Sequence, residues 1–421
     1  MNILILGDDL VAWTMAGALA STGCHIHMQS TQLPEGDHEA TESELFLLLY
    51  QQHTAGRMML KGQWALDDAS PLNLLIDARE HQSLEQMIEA VEKAGYPDVT
   101  ALVHTVAIGT TDALQHTLNQ RKVKTSVVYW PNFIQAGRAL ASFTRVEQLL
   151  LGGQDQGAKD LIKRLMLPFN RSQDRFYEVT SREAELAKIA INGMLATRIS
   201  YMNELSTLAE AKGIDIETVR QCMGRDSRIG FQYLYPGCGF AGNALSESLQ
   251  QLNQELERVN EHDQGLLSSV LRINEQQKDL LFQKFWRFYQ ADIQHKTVAI
   301  WGVAYKPNTN RVKDSPALHL IKTLLSHHVT VKVYDPLALP SLFNQLGQHP
   351  QLIYADTAFD AVTSADALML VTEWKEFWNI DLTKVKQLMT NPVLFDGRNL
   401  YDPELLTRLG WHYSGVGRGS R

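Results

Sequence analysis

Two stretches of this 421-residue chain carry side chains whose types and spacing invite chemistry. In the first, Lys188 and Asn192 stand four residues apart within SREAELAKIAINGMLATRISYMNELSTLAEAKG, so in a helix both leave the same face. Both are hydrogen-bond donors. Taken alone, the pair reads as a solvated helix face. The loop that follows, SRIGFQYLYPGCGFAGNALSESL over 227–249, is too rich in glycine and aromatics to be a spacer. The second stretch is the amino terminus. Residues 2–7 form an apolar strand ending at Gly7, and Val11–Ser21 reads as a helix, which is the opening of a dinucleotide-binding unit. The frame G-x-G-x-x-G falls on Gly7, Asp9 and Ala12. Ala12 is an acceptable third member, but Asp9 is not an acceptable second one. Glycine there lets backbone touch a pyrophosphate; a carboxylate adds bulk and a negative charge where the helix N-terminus would favour phosphate. Asp8 beside it deepens that field, so this edge of the sheet is expected to bind no dinucleotide.

The elements that position these residues follow from the hydrophobic pattern. In the long helix, Ile189, Ala190, Met194, Leu205, Leu208 and Ala209 repeat at helical spacing and other apolar residues fill the remaining faces, which predicts burial on most sides. Ser181 is the expected N-cap and Gly213 the expected stop. Further strands are expected at roughly His25–Gln29, Leu72–Asp77, Ala101–Val106, Val127–Trp130, 149–153 and 176–181, with a polar, acidic loop over 31–45. Residues 250–285 read as one or two amphipathic helices with a break at Gly265, and a second strand–turn–helix begins at Lys296.

Composition bounds the function. A hydrophobic content of 44% and a charged content of 20% are ordinary for a soluble globular chain, here long enough for two or three domains. A net charge of -8 and a pI near 6.0 give no electrostatic reason to expect nucleic acid or an anionic membrane. No apolar run is long enough to span a bilayer, and MNILILG lacks the charged region and cleavage site of a signal peptide. Cys24, Cys222 and Cys238 are dispersed and odd in number. They imply neither a disulfide framework nor zinc spacing, so no metal is expected and a reducing cytoplasm fits.

The order of motifs resembles the UDP-glucose/GDP-mannose dehydrogenase family of nucleotide-sugar enzymes. Its helix pattern K-[LI]-A-x-N is met by Lys188, Ile189, Ala190 and Asn192. Its loop, S-R-I-G and then F-L-x-P-G-x-G-[YF]-G-G-S-C-F-x-K-D, is met in frame by Ser227–Gly230, Tyr233–Gly237 and Gly239–Ser248. In that frame the nucleophilic cysteine falls on Ala244, and the later lysine and aspartate fall on Glu247 and Ser248. HTVAIGT at 104–110 is similar to S-T-V-P-x-G-T, with Thr105 the matched threonine, and PNFIQAG at 131–137 is similar to P-E-F-L-x-E-G. There Phe133, Ile134 and Gly137 match or substitute conservatively, while the two glutamates become Asn132 and Ala136. The family's ribose-binding aspartate lands on Ser30. Towards the carboxyl end, Gly302, Ala304, Tyr305, Lys306, Thr309 and Ser315 match G-x-[AS]-[FY]-K-x-x-T-x-D-x-R-x-S, whose acid becomes Asn310 and whose arginine becomes Val312 or Lys313. Asp396 and Arg398 keep D-G-R-N, and SGVGRGSR resembles the G-[IV]-G-R ending. The resemblance is strong over 181–421 and weaker over 1–180.

It implies an α/β fold, two Rossmann-like doubly wound domains joined by a central helical dimerisation segment. The implied domains are a degenerate NAD-binding domain over 1–180, the helical segment over 181–290, and a UDP-sugar-binding domain over 291–421. Active members oxidise a sugar alcohol to a carboxylate in two hydride transfers, through a thiohemiacetal and then a thioester on the cysteine. Lys188 and Asn192 would stabilise the oxyanion. Ala244 stands in place of the nucleophile, Ser248 and Asn132 in place of acids, and asparagine takes no proton. The resemblance assigns substrate contacts to Phe133, Ile134, Arg228, Tyr233, Tyr235, Gly239, Tyr305, Lys306 and Arg398, with Arg228 reaching the neighbouring subunit of a homodimer. It assigns the degenerate NAD contacts to Gly7, Asp9, Ala12, Ser30, Thr105 and Lys313.

The expectation is a homologue that has lost dehydrogenase activity and keeps the fold, the dimer and nucleotide-sugar binding, serving polysaccharide biosynthesis. Two alternatives stand beside it. One is an active NAD-dependent oxidoreductase of the UDP-glucose 6-dehydrogenase type, with Cys238 as displaced nucleophile; Cys238 lies six residues before Ala244, which is too far along an extended chain for a one-for-one replacement. The other is a partner that pairs with an active paralogue and lends Arg228.

Overall fold

A parallel sheet covered on both faces is built from apolar runs rather than from alternating ones. The first strand behaves so: Ile3, Leu4, Ile5 and Leu6 are all buried. A computed structural model describes residues 1–34, 42–62, 72–170, 175–259 and 265–418, without the side chains of Asn243 and Ala244. The chain divides into two compact units, Met1–Ile189 and Ala190–Arg421.

In the first unit the strands are β1 (Asn2–Leu6), β2 (His25–Met28), β3 (Met58–Leu60), β4 (Leu74–Asp77), β5 (Val99–Leu102), β6 (Ser126–Tyr129), β7 (Leu149–Gly152) and β8 (Phe176–Val179). They lie in the order β3-β2-β1-β4-β5-β6-β7-β8, parallel except where β6 meets β7. Alternate residues of β1 enter opposite cores, Ile3 and Ile5 with Trp13 and Leu19, Leu4 and Leu6 with Met87 and Leu114. The strand order reverses at the β1/β4 boundary, the crevice at which doubly wound sheets bind ligands.

In the second unit, β9 (Thr297–Trp301), β10 (Thr330–Tyr334), β11 (Leu352–Tyr354), β12 (Ala367–Leu370), β13 (Val393–Asp396) and β14 (His412–Gly415) form a wholly parallel sheet ordered β11-β10-β9-β12-β13-β14. Its core includes Ile300, Phe395 and Trp301, the last stacked on Phe377 at 4.9 Å. Along the chain, the helices Ser181–Ala211, Ile216–Arg225, Asn243–Val259, Leu266–Lys278 and Leu280–Phe288 follow β8 and precede β9. The expected class, α/β with two doubly wound sheets and a central helical segment, is the one observed. No helix among the described residues is long and apolar enough to cross a membrane.

Several local expectations are corrected. The long helix is capped by Thr180 rather than by Ser181. The Thr180 N–H donates to Glu183 Oε2 at 2.8 Å and the Glu183 N–H returns to Thr180 Oγ1 at 3.3 Å, a reciprocal capping box. Its carboxyl end follows expectation: Gly213 has φ +65°, and the N–H groups of Gly213 and Ile214 close on Glu210 and Ala209 carbonyls.

Burial of the long helix on most sides does not hold. Met194 and Leu208 are 63% and 55% exposed, whereas Glu185, Lys188, Asn192, Ser200, Asn203 and Ser206 are buried. Apolar residues all round gave the helix no single apolar face, and partners for its polar side chains settled which side turned inward. Residues Asn243–Leu249, read as the end of the loop, are the first turns of Asn243–Val259. Leu245, Leu249 and Leu252 repeat at helical spacing and pack with Ala196, Ile199 and Val270. β5 begins at Val99 and stops at Leu102, because the Val103 carbonyl is taken by the Asn132 backbone N–H and side chain. The acidic loop gives way to a helix at Ser43, and its residues 35–41 lie outside the described set.

Candidate functional site

At the first glycine turn, Gly7 has φ +121°, and a β-carbon there would stand 3.0 Å from the Ala78 carbonyl oxygen. Only glycine suits that turn. Asp9 then caps the helix Leu10–Ser21, its Oδ1 accepting from the Ala12 N–H at 2.9 Å. The carboxylate therefore turns back onto the helix N-terminus and occupies the charge that a phosphate would seek. Its Oδ2 lies 3.2 Å from His104 Nε2, and Glu80 Oε1 lies 3.7 Å from His104 Nδ1. These three residues follow β1, β4 and β5. Burial pushes the His104 pKa down, but Asp9 and then Glu80 outweigh it and the net shift is upward. Beyond β2, the Ser30 hydroxyl donates to the Gln32 carbonyl at 2.8 Å. Thr105, next to His104, is half-buried.

In the same unit Lys188 is 5% exposed. Its Nζ donates to the Asn132 backbone carbonyl at 2.5 Å and stands 4.6 Å from the centre of the Phe133 ring. No carboxylate pairs with it among the described residues, and burial holds it down to about 8. One turn earlier the fully buried Glu185 accepts from the N–H groups of Gly109 and Thr111 and from Thr111 Oγ1 at 2.6 Å, at the start of the helix Thr110–Gln120. The helix N-terminus, not the lysine, neutralises that acid. Asn132 commits its Nδ2 to the Val103 carbonyl at 2.8 Å, and Ile134 packs against the core that holds Trp13.

In the second unit Asn192 Nδ2 donates to Ser248 Oγ at 2.8 Å, and Ser248 is fully buried. Ala244 is the second residue of the helix Asn243–Val259; its side chain lies outside the described residues. The glycine-rich loop is pinned by three carboxamides. Asn203 Oδ1 accepts from the Gly237 N–H at 2.8 Å, Gln277 donates to the Gly237 carbonyl at 2.7 Å, and Asn274 bonds Phe240 in both directions. Gly239 (φ +98°) rests against Asn274 and Lys278, and a β-carbon on Gly242 would meet Tyr305 at 3.0 Å. Cys238 is 1% exposed in the core with Leu281 and Phe395, its Sγ 3.9 Å from the Val371 carbonyl. Burial pushes its thiol up, away from the thiolate a nucleophile needs.

Around that loop, Arg398 Nε donates to the Val371 carbonyl at 2.6 Å and lies 3.2 Å from Glu373. Tyr233 and Tyr235 lie with ring centres 6.0 Å apart, Tyr235 being the more exposed. Lys306 Nζ is 5.6 Å from the Tyr305 ring centre. Arg228 projects from its loop, paired with Asp226 at 2.6 Å. Of the two positions weighed for the missing arginine, Val312 is a core residue and Lys313 is exposed.

Two family models match this chain. The UDP-glucose/GDP-mannose dehydrogenase central domain matches residues 182–276, and that family's UDP binding domain matches 299–403. A UDP-glucose 6-dehydrogenase of Pseudomonas aeruginosa is 31% identical over 443 aligned residues, covering 99% of this chain and 98% of the relative. The chain belongs to the UDP-glucose/GDP-mannose dehydrogenase family. UDP-glucose 6-dehydrogenase YwqF of Bacillus subtilis is 29% identical with equal coverage of both chains. In fold, a UDP-glucose dehydrogenase from Pyrobaculum islandicum superposes with a TM-score of 0.84 at 23% identity, over 99% of this chain and 97% of that one. A UDP-D-ManNAc dehydrogenase from Pyrococcus horikoshii gives 0.82 at 20%, over the full length of both.

Within this family member, the structure brings Lys188 together with Asn132 and Phe133, and Asn192 with Ser248. It sets the glycine loop against Tyr305 and Arg398. It leaves Arg228 and Lys313 on the surface. Three residues escaped the sequence reading: Glu185, Glu80 and His104. Glu185 had a signal, lying three residues before Lys188 on the same helical face. Glu80 and His104 had none, since their meeting with Asp9 depends on three separate strand ends.

Proposed function

We propose that this chain is a nucleotide-sugar-binding homologue that has lost the thioester-forming oxidation. The observation that carries the reading is the absence of a usable sulfur. Position 244 is alanine, and the loop's one thiol, Cys238, is sealed in the core behind Gly397 with its ionisation suppressed. Without a nucleophile the aldehyde has nothing to hold it, and loss of a covalent nucleophile commonly costs several orders of magnitude in rate. Asn132 in place of a proton acceptor supports the same reading, because its carboxamide is bound to backbone.

The residues at the Gly7 turn do not fit NAD. The Asp9 carboxylate lies on the N–H that a pyrophosphate would use, and Ser30 supplies no acid for ribose hydroxyls. Nucleotide-sugar binding is supported by the match to a UDP binding domain and by the kept frame of Gly239, Tyr305, Lys306 and Arg398. A UDP-sugar is the class of ligand we assign. Association through the long helix is supported by Met194, Tyr201 and Leu208, exposed apolar side chains seven residues apart on one stripe.

Titration calorimetry with UDP, UDP-glucose and NAD tests the reading, alongside an assay for reduced nicotinamide. Saturable binding of the UDP compounds, no heat from NAD and no turnover are expected. Production of a sugar acid with reduction of NAD overturns it.

A further inference from the structure

We propose that Asp9, Glu80 and His104 form a binding site for one divalent transition-metal ion at the β1/β4 crevice of the first unit. One ligand atom from each of the three lies within 4.8 Å of the others. The 3.2 Å between Asp9 Oδ2 and His104 Nε2 is close to the separation of about 3.4 Å between two ligands on a tetrahedral ion with bonds of about 2.0–2.2 Å. Two carboxylates brought this close repel unless positive charge stands between them. Arg79, adjacent to Glu80 in the chain, is turned to Asp77, its Nε and Nη2 donating to that carboxylate at 2.8 and 2.7 Å. The group that faces both is His104, which serves them as a cation when protonated and as a metal ligand when neutral.

The imidazole gives the second, independent observation. His104 is 8% exposed, and its Nε2 has no aligned hydrogen bond although it faces the Asp9 carboxylate. A buried ring nitrogen left without a hydrogen bond is costly, and an ion beside Asp9 would give Nε2 a partner; Glu80 Oε1 faces the other ring nitrogen, Nδ1, and its partly exposed side chain would turn to complete the set. One imidazole nitrogen and two carboxylate oxygens suit Zn²⁺ or Mn²⁺ better than a hard ion such as Mg²⁺, which prefers oxygen alone. Asp9 is already oriented for the task, because its other oxygen is fixed by the Ala12 N–H. The location is where doubly wound sheets place ligands. The inference stands apart from the loss of oxidation: a chain that binds Zn²⁺ here and a chain that oxidises sugars are distinguished by separate measurements.

The full-length chain, stripped with a chelator and desalted, is titrated with ZnCl₂ by calorimetry, and its metal content is measured after gel filtration. One ion per chain is expected. Asp9→Asn and His104→Gln are each expected to weaken binding about tenfold or more; Asp9→Asn keeps a side chain able to cap the helix. Glu80 is partly exposed, so Glu80→Gln tests the third ligand with little risk to folding. Circular dichroism establishes that each variant is folded. No saturable binding by the wild-type chain overturns the proposal. So does unchanged affinity and stoichiometry in folded Asp9→Asn, His104→Gln and Glu80→Gln, which would place the ion elsewhere.

Discussion

The two sheets each close their first glycine turn with a carboxylate, but they hold it in different ways. In the second unit Asp335, just beyond β10, is buried and accepts five hydrogen bonds. The N–H groups of Val303 and Ala304 and the Trp374 indole meet Oδ2 at 2.7, 3.0 and 3.0 Å; those of Leu337 and Ala338 meet Oδ1 at 3.0 and 2.9 Å. An acid at the end of the second strand is where a dinucleotide fold reaches for ribose, yet this one faces inward and ties the turn to its neighbours. In the first unit the corresponding strand end offers Ser30, and the acid sits inside the turn itself. Asp9 takes one backbone N–H and leaves its second oxygen to His104. A carboxylate with every lone pair engaged is architecture; one with half its capacity turned to an imidazole keeps room for chemistry.

Substitutions break or sharpen that contrast. The largest effect is expected from Asp335→Ala, which strands several buried donors and should destabilise the second unit by about 3–5 kcal/mol in urea unfolding. A loss below about 1 kcal/mol would make the two carboxylates equivalent. Lys188→Met, which removes a buried charge that no carboxylate pairs with among the described residues, is expected to raise stability by about 1 kcal/mol at neutral pH.

The pH dependence of Lys188 has a definite sign. Held at about 8, below its ordinary 10.5, it binds fewer protons folded than unfolded across that interval. Its cost is therefore complete below about 8 and relieved as pH rises towards 10.5, and the gain from Lys188→Met should shrink over the same window. Thermal melts across that range measure it. Asp9→Asn, by contrast with Asp335→Ala, should change stability by no more than about 0.5 kcal/mol, since asparagine also caps helices. If Asp9 excludes the dinucleotide as proposed, Ala244→Cys should leave reduction of NAD at zero, because restoring the sulfur does not reopen the Gly7 turn. Turnover in that variant would show that the Asp9 turn still admits the cofactor.

The fold was open to reading because parallel strands buried on both faces announce themselves as apolar runs, as in residues 2–6 and 297–301. The spacing of Lys188 and Asn192 and the frame of the glycine loop were equally plain. Which way the long helix would face was not. Its apolar residues surround it, and the choice was made by partners distant in sequence: Ser248 for Asn192, Gly237 for Asn203, Val270 for Ser200. The fate of Cys238 was half legible. Its distance from Ala244 could be counted, but its enclosure depends on Leu281 and Gly397. The meeting of Asp9, Glu80 and His104 left no trace in any one segment, since three strand ends must be brought side by side before the residues are neighbours at all.

The amide clasp on the glycine loop has a consequence for how such a protein changes. Asn203, Asn274 and Gln277 grip the main chain at Gly237 and Phe240, and none of those bonds involves residue 244. The mould therefore stands whether or not a reagent is set in it. Residue 244 can therefore change without unravelling the shape around it.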